Sequence, residues 1–262
     1  MSLEQGQEYD DAMVSVLEQV WGEGYLSPGG PDEIREIVDG VELSGRTVLD
    51  IGCGTGGISQ FLAETYSPDE LVGIDVEAGL IDLATGRAKQ LGLENQLKFI
   101  CVEPGPLPFE DGSFDAVFSK DAMIHIADKE ALFAEVFRVL APGGVVAACD
   151  WMSSTDGLFS AELKRYIELE DLGFGMASPA RYRDAMASAG FEDILMTDRN
   201  AWYKEIVPKE CEALEGPLYE KLTATVGRDY IDHSIEVWRA LKLVVDRGEL
   251  RPTHMRARKP AG

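Results

Sequence analysis

The sequence predicts an α/β fold: a doubly wound parallel sheet with helices packed on both faces. Three observations predict it. Short apolar runs alternate along the chain with longer segments of helical period. The run Val48-Leu49-Asp50-Ile51 opens into a glycine-rich turn, Gly52-Cys53-Gly54-Thr55-Gly56-Gly57, of the kind that joins a buried strand to a helix. At 262 residues and 45% hydrophobic content, the chain is long enough to bury one sizeable core.

The elements follow in order. Arg46–Ile51 is the first strand, apolar at Val48, Leu49 and Ile51, and Gly57–Tyr66 is the helix behind its turn. Glu70–Ile74 and Leu97–Val102 are further apolar strands, separated by a helix over Gly79–Leu91. Phe114–Ser119 is the fourth strand, followed by short helical segments at Ala122–Ile126 and Lys129–Leu140. A Pro142-Gly143 turn introduces the fifth strand, Gly144–Asp150. Helices over Phe159–Leu172 and Pro179–Ala189 lead to a strand near Phe191–Arg199. Two helices, Pro208–Gly227 and Tyr230–Asp246, precede a last strand at Leu250–Arg258. No repeats, low-complexity tracts or linkers interrupt this order, so residues 1–262 are expected to form a single domain.

Composition narrows the partners. With 24 basic and 47 acidic residues the net charge is −23, which disfavours nucleic acid and anionic membranes and favours cations. A surface adapted to a salty environment is the plainer source of that charge, so the charge excludes more than it proves. No apolar run approaches the roughly 18–20 residues of a membrane span, and the acidic N-terminus carries no secretory pattern. Cys53, Cys101, Cys149 and Cys211 form no C-x-x-C pair. A zinc or other metal site is therefore not expected, and the cysteines read as structural thiols of a reduced, cytoplasmic protein, with Cys101 and Cys149 as small buried hydrophobes.

The glycine-rich turn admits two cofactors. Gly52, Gly54 and Gly57 satisfy the G-x-G-x-x-G dinucleotide fingerprint, and Asp75 lies at a suitable distance for a ribose contact. Asp50 leans the other way, because a carboxylate at the end of the strand repels a pyrophosphate and holds an ammonium or hydroxyl. Asp50, Gly52, Gly54 and Gly56 also fill the fixed positions of D-x-G-x-G-x-G, the loop of class I S-adenosylmethionine (SAM) methyltransferases, which this stretch resembles. Phe114-Asp-Ala-Val-Phe-Ser119 looks like that family's fourth motif, and Leu140-Ala-Pro-Gly-Gly144 matches its L-x-P-G-G turn. These two favour the methyltransferase reading.

The resemblance implies strand order 3-2-1-4-5-7-6, with the last strand inserted between the fifth and sixth. Residues 200–248 would then be a helical lid inserted before that strand, and residues 1–30 an N-terminal helical cap on the other side. Asp75, with Val76 beside it, matches the acidic position that takes the ribose hydroxyls, and Glu103 matches the position that accepts from the adenine amino group, although Pro104 departs from the family's usual apolar residue.

A closer similarity appears in Tyr25-Leu26-Ser27-Pro28-Gly29-Gly30, in Ser119-Lys120-Asp121-Ala122-Met123-Ile124-His125, and in Tyr9 sixteen residues before Tyr25. These resemble phosphoethanolamine N-methyltransferases. The resemblance implies that Tyr9 and His125 form a dyad over the reacting amine, that Asp121 contacts that amine, and that Leu26, Ser27, Ser119 and Lys120 bind SAM. Such groups suit the chemistry: the attacking nitrogen must be neutral and aligned, and a histidine titrating near neutrality can take its proton. His233 and His254 have no comparable context and read as ordinary.

The departures bear on the acceptor. The resembled family holds a phosphate with an arginine and aromatic hydroxyls after strand five and with a lysine in the lid. Here Tyr166 is kept, but Glu170 stands at the arginine position, Leu172 and Trp151 replace tyrosines, and Glu236 falls near the lysine position. An acidic, aromatic pocket of Trp151, Tyr166, Glu170 and the tryptophans 202 and 238 suits an ammonium through cation–π contacts. Two alternatives stay open: Glu170 and Glu236 as solvated helix faces, and an anion site restored by Arg181 and Arg183. The expected activity is methyl transfer from SAM, leaving S-adenosylhomocysteine, to the nitrogen of a small, non-phosphorylated amine, by a monomer or homodimer. Transfer to carbon, oxygen or sulfur, a dinucleotide-dependent oxidoreductase and a non-catalytic SAM-binding protein are the alternatives.

Overall fold

The computed structural model describes residues 9–262; the first eight residues of the expected cap lie outside that range. Seven strands form one sheet in the order β3-β2-β1-β4-β5-β7-β6. β1 (Thr47–Ile51), β2 (Glu70–Asp75), β3 (Leu97–Cys101), β4 (Phe114–Lys120) and β5 (Leu140–Ser153) are mutually parallel, whereas β7 (Leu250–Arg258) runs antiparallel to both β5 and β6 (Glu192–Asp198). β1 pairs with strands on both sides, and Val48, Leu49, Asp50 and Ile51 are all buried. That is why the run is apolar throughout instead of alternating.

Helices cover both faces. On one side α2 (Gly30–Ile37), α3 (Gly57–Tyr66) and α4 (Ala78–Leu91) pack through Ile34, Leu62 and Ala88. On the other, α5 (Lys129–Val139) and α7 (Pro179–Ala189) pack through Phe133, Val136 and Tyr182. Side chains cap several starts: Asp10 accepts from Met13 N at 2.7 Å at the head of α1 (Asp11–Trp21), and Ser160 from Leu163 N at 3.0 Å at the head of α6 (Ala161–Glu170).

A third core lies beyond the carboxyl end of the sheet. Here α8 (Asn200–Glu215), α9 (Tyr219–Val226) and α10 (Arg228–Asp246), all placed in sequence between β6 and β7, pack with α1 and α6. Tyr203, Leu214, Leu222, Ile231 and Val244 are fully buried there, each worth about 1.5–3 kcal/mol by burial. This layer is a packed body with its own core.

The structure corrects several expectations. α8 begins at Asn200, eight residues before Pro208, which was expected to start a helix because proline suits a first turn. Pro208 instead sits inside α8, where it removes the bond Lys204's carbonyl would receive. α2 was not anticipated; its Gly29-Gly30-Pro31 start looks like a plain turn. β5 continues to Ser153 because β7 pairs with it that far. Cys101 is exposed, not buried, although all four cysteines are free. Among the described residues no helix is long and apolar enough to cross a membrane, and no metal-binding cluster occurs.

Candidate active site

The loop after β1 is shaped by close approach. Gly52 has φ +74°, and a Cβ there would lie 2.1 Å from the Cβ of Ala122, so only glycine fits. Gly54 N donates to Asp75 Oδ2 at 2.9 Å and Glu77 N to Asp75 Oδ1 at 3.1 Å, which fixes the carboxylate ending β2 against the loop. Burial pushes the Asp75 carboxyl up, opposed by these backbone bonds. Val76 and Glu103 are exposed at the ends of β2 and β3. Asp50 lies underneath the loop, where its Oδ2 accepts from Ser59 Oγ at 2.5 Å. Burial pushes Asp50 up to about 7, with Asp75 adding to the rise and Ser59 opposing it. The Ser59 bond ties the end of β1 to α3. The Ser119 hydroxyl is likewise committed, donating to Ile51 O at 2.7 Å.

α1 is latched to this loop. Glu18 Oε1 accepts from Gly24 N at 3.0 Å, Thr55 Oγ1 at 3.1 Å and Arg87 at 2.6 Å, and Gly57 N donates to Gly24 O at 3.1 Å. The following residues lie across the loop: Leu26 faces Gly54, and the Ser27 hydroxyl accepts from Lys120 Nζ at 3.0 Å.

Lys120, Asp121 and His125 sit at the end of β4 and in the 3₁₀ turn Met123–His125. Lys120 is buried and pairs with Asp121 Oδ2 at 2.5 Å; burial pulls the ammonium down, but the neighbours Asp121, Cys149 and Glu33 together outweigh it and the net direction is up. Asp121 has φ +56°, a left-handed conformation that aspartate tolerates. Its Oδ1 is buried with no hydrogen-bond partner among the described residues. Tyr9 Oη lies 3.5 Å from His125 Nε2, and the two rings meet edge to face at 6.2 Å. The turn itself is held from beneath by Lys129, fully buried, whose Nζ donates to Met123 O at 2.7 Å and Ile126 O at 2.5 Å.

These groups open into a cavity of about 240 Å³, walled by α1, α6, α10 and the ends of β4 and β5. Tyr9, Leu26, Ser27, Asp121, His125, Trp151, Tyr166 and Glu170 all line it. Its walls are otherwise mainly apolar and aromatic, and among the described residues no arginine or lysine lines it. Tyr166 Oη donates to Glu170 Oε1 at 2.7 Å, and burial pushes the Glu170 carboxyl up. Trp151 meets Tyr203 edge to face at 4.8 Å.

The residues whose placement the sequence leaves open divide here. Glu236 does not face the cavity; it is exposed and paired with Arg165 at 2.5 Å. Arg181 and Arg183 do not restore an anion site, since Arg181 pairs with Glu130 at 3.0 Å outside the cavity and Arg183 is exposed near Ile194 O. Trp202 packs on Gly29 and Arg199 instead of lining the cavity, whereas Trp238 lines it. His254 is bonded to the buried Glu33 at 2.6 Å and belongs to the scaffold.

Sequence reasoning missed two residues at this site. His233, taken as ordinary, lines the cavity beside Glu170 and donates from Nε2 to Leu169 O at 3.0 Å. Glu210 is buried behind the aromatic wall, accepting from Trp21 Nε1 at 2.7 Å, Tyr203 Oη at 2.7 Å and Trp238 Nε1 at 3.1 Å. No local signal marks Glu210, because its partners lie as many as 189 residues away.

Comparison with known proteins places the fold and the cofactor class. The family profile described as a methyltransferase domain matches residues 48–144. Phosphoethanolamine N-methyltransferase 3 of Arabidopsis thaliana is 32% identical over 92% of this chain and 48% of its own length. The phosphoethanolamine N-methyltransferase of Plasmodium falciparum is 26% identical over 78% of this chain and 75% of its own. Phosphoethanolamine N-methyltransferase 2 of Haemonchus contortus, solved with S-adenosyl-L-methionine, superposes with a TM-score of 0.88 at 25% identity, covering 97% of this chain and 58% of that one. The chain spans about half the length of the plant relatives it matches. With the strand order, the loop and these relatives in agreement, the chain carries the class I SAM-dependent methyltransferase fold and is related to the phosphoethanolamine N-methyltransferases.

Proposed function

We propose that this chain transfers a methyl group from SAM to the nitrogen of a small amine that carries no phosphate. One observation carries the reading: the acceptor cavity is lined by Asp121 and Glu170 together with aromatic rings, and by no arginine or lysine among the described residues. A phosphate would be desolvated there against carboxylates, and leaving one such charge without its partner costs about 2–5 kcal/mol. An ammonium meets carboxylate oxygens and ring faces.

The residues present fit SAM. The cradle at Gly52 admits no Cβ, and Asp75 is held at the end of β2 with Val76 and Glu103 exposed beside it. Asp75, Val76 and Glu103 would hold the nucleoside, with Asp50 and Ser119 bracing the strands. Gly52, Gly54, Leu26, Ser27 and Lys120 would hold the amino-acid end. When bound, SAM supplies a methyl group activated by a sulfonium. The protein supplies the rest: Asp121 and the ring faces orient the acceptor, and such alignment provides about 7–11 kcal/mol in favourable cases. His125 takes the proton that the acceptor nitrogen must lose before it attacks, a contribution of about 10²–10⁴-fold. Tyr9 closes over the nitrogen and orients the imidazole. Residues 200–248 act as a lid and the N-terminal segment to residue 30 as a cap, together excluding water.

The test is a panel of acceptors with methyl-labelled SAM: simple amines, phosphoethanolamine, phenols, quinols and thiols. Label is expected in a non-phosphorylated amine. Preference for phosphoethanolamine, or transfer only to carbon, oxygen or sulfur, overturns the reading.

A further inference from the structure

The cavity holds two carboxylates, and each has one oxygen committed and one uncommitted. Asp121 Oδ2 is tied to Lys120 while Oδ1 is buried and without a partner among the described residues. Its side chain is only 6% exposed, so the unmet oxygen is sealed from solvent. Glu170, the last residue of α6, accepts from Tyr166 at Oε1, and no described protein group donates to Oε2. The reacting nitrogen accounts for Asp121. Glu170 is not used by that chemistry.

The surroundings of Glu170 define what it can take. The Tyr166 hydroxyl has spent its proton on Oε1. His233 donates from Nε2, because Leu169 O can only accept. The Tyr166 and Phe174 rings stack beside it at 6.4 Å and an angle of 24°. This end of the cavity therefore offers carboxylate oxygens and π faces, and among the described residues no arginine or lysine lines it. An anion is repelled, a hydroxyl satisfies one acceptor, and an ammonium satisfies several while meeting the rings.

Resting on the reading of the chain as an amine methyltransferase, we propose that Glu170, with His233 and Tyr166, is a second cation subsite and that the natural acceptor is a diamine. One nitrogen is methylated at Asp121 and His125 while the other stays protonated on Glu170. The reacting ammonium first loses one proton to His125; its lone pair would then form the N–C bond as the methyl C–S bond of SAM breaks, the C–S electron pair staying on sulfur in S-adenosylhomocysteine, and the distal nitrogen exchanges nothing.

The experiment compares 1,3-diaminopropane, 1,4-diaminobutane and 1,5-diaminopentane with n-butylamine and 4-aminobutan-1-ol. Turnover is measured with labelled SAM, and affinity by calorimetry on protein saturated with S-adenosylhomocysteine. At least one diamine is expected to exceed n-butylamine by about tenfold or more in kcat/KM and in affinity, the scale of a desolvated charge pair. Glu170→Gln, which keeps shape and a hydrogen-bond acceptor for Tyr166, is expected to shrink that ratio by about tenfold. Equal use of n-butylamine or the amino alcohol, or a ratio that Glu170→Gln leaves intact, overturns the diamine proposal while the amine reading stands. Turnover of phosphoethanolamine with no amine methylated overturns both. The wild-type ratio decides even if the variant folds poorly.

Discussion

Replacing Glu210 should loosen the roof of the site without touching either substrate. Its carboxylate gathers three donors from three helices: Trp21 of α1, Tyr203 of α8 and Trp238 of α10. Hydrogen bonds to a charged acceptor contribute about 1.5–3 kcal/mol each. Three that share one carboxylate combine to less than their sum, because burial already penalises that carboxylate and pushes its pKa up. Glu210→Ala, which also leaves a void and three unmet donors, is therefore expected to cost about 3 kcal/mol, a large share of a typical domain's stability. Glu210→Gln should cost less, about 1–2 kcal/mol. Its carbonyl oxygen can serve Tyr203 and Trp238 from the Oε2 position, but its amide then opposes Trp21. Urea unfolding followed by tryptophan fluorescence reads both the midpoint and the environment of the two indoles. The order wild type, Gln, Ala in decreasing stability is the expected result. A loss below about 1 kcal/mol for Glu210→Ala would show that the three bonds do not tie these helices together.

Two further outcomes are expected. His125→Ala should lower turnover by about tenfold or more while SAM affinity, measured by calorimetry, stays within about twofold; unchanged turnover removes the proposed base. Asp50 holds its proton in the folded state up to about 7, well above its unfolded value. The stability it confers is thus complete at acid pH below the unfolded pKa and is lost as pH rises through the folded pKa. Wild-type stability to urea should fall between about pH 4 and pH 7, and Asp50→Asn should make that fall shallower. A slope unaltered by the substitution would place the proton elsewhere.

The sheet was legible because its signals are local. Val48 to Ile51 is apolar at both faces since β1 is central, and the Gly52 turn announces the strand's end. The Pro142-Gly143 turn, in contrast, lies inside β5, where the pairing with β4 shifts register between Leu140 and Val145. Most of the donor-side residues follow from their position at strand ends. The upper layer was less legible, because its helices are decided by long-range packing. Pro208 looks like a helix start until α8 is seen docked on α10, and Glu236 and Glu170 look alike until the fold turns one outward and the other into the cavity. Glu210 and His233 gain meaning only from partners in other helices, a relation that spacing along the chain does not record.

α1 presents two faces to two different partners. Through Glu18 it grips Thr55 of the glycine loop and Arg87 of α4, and through Met13, Val16, Leu17 and Trp21 it walls the acceptor cavity. A tilt of this one helix moves a wall and a latch together. Whatever affinity one ligand gains by seating α1, thermodynamic reciprocity returns to the other by the same factor. The two dissociation constants are thereby one coupled quantity, with the helix as its carrier.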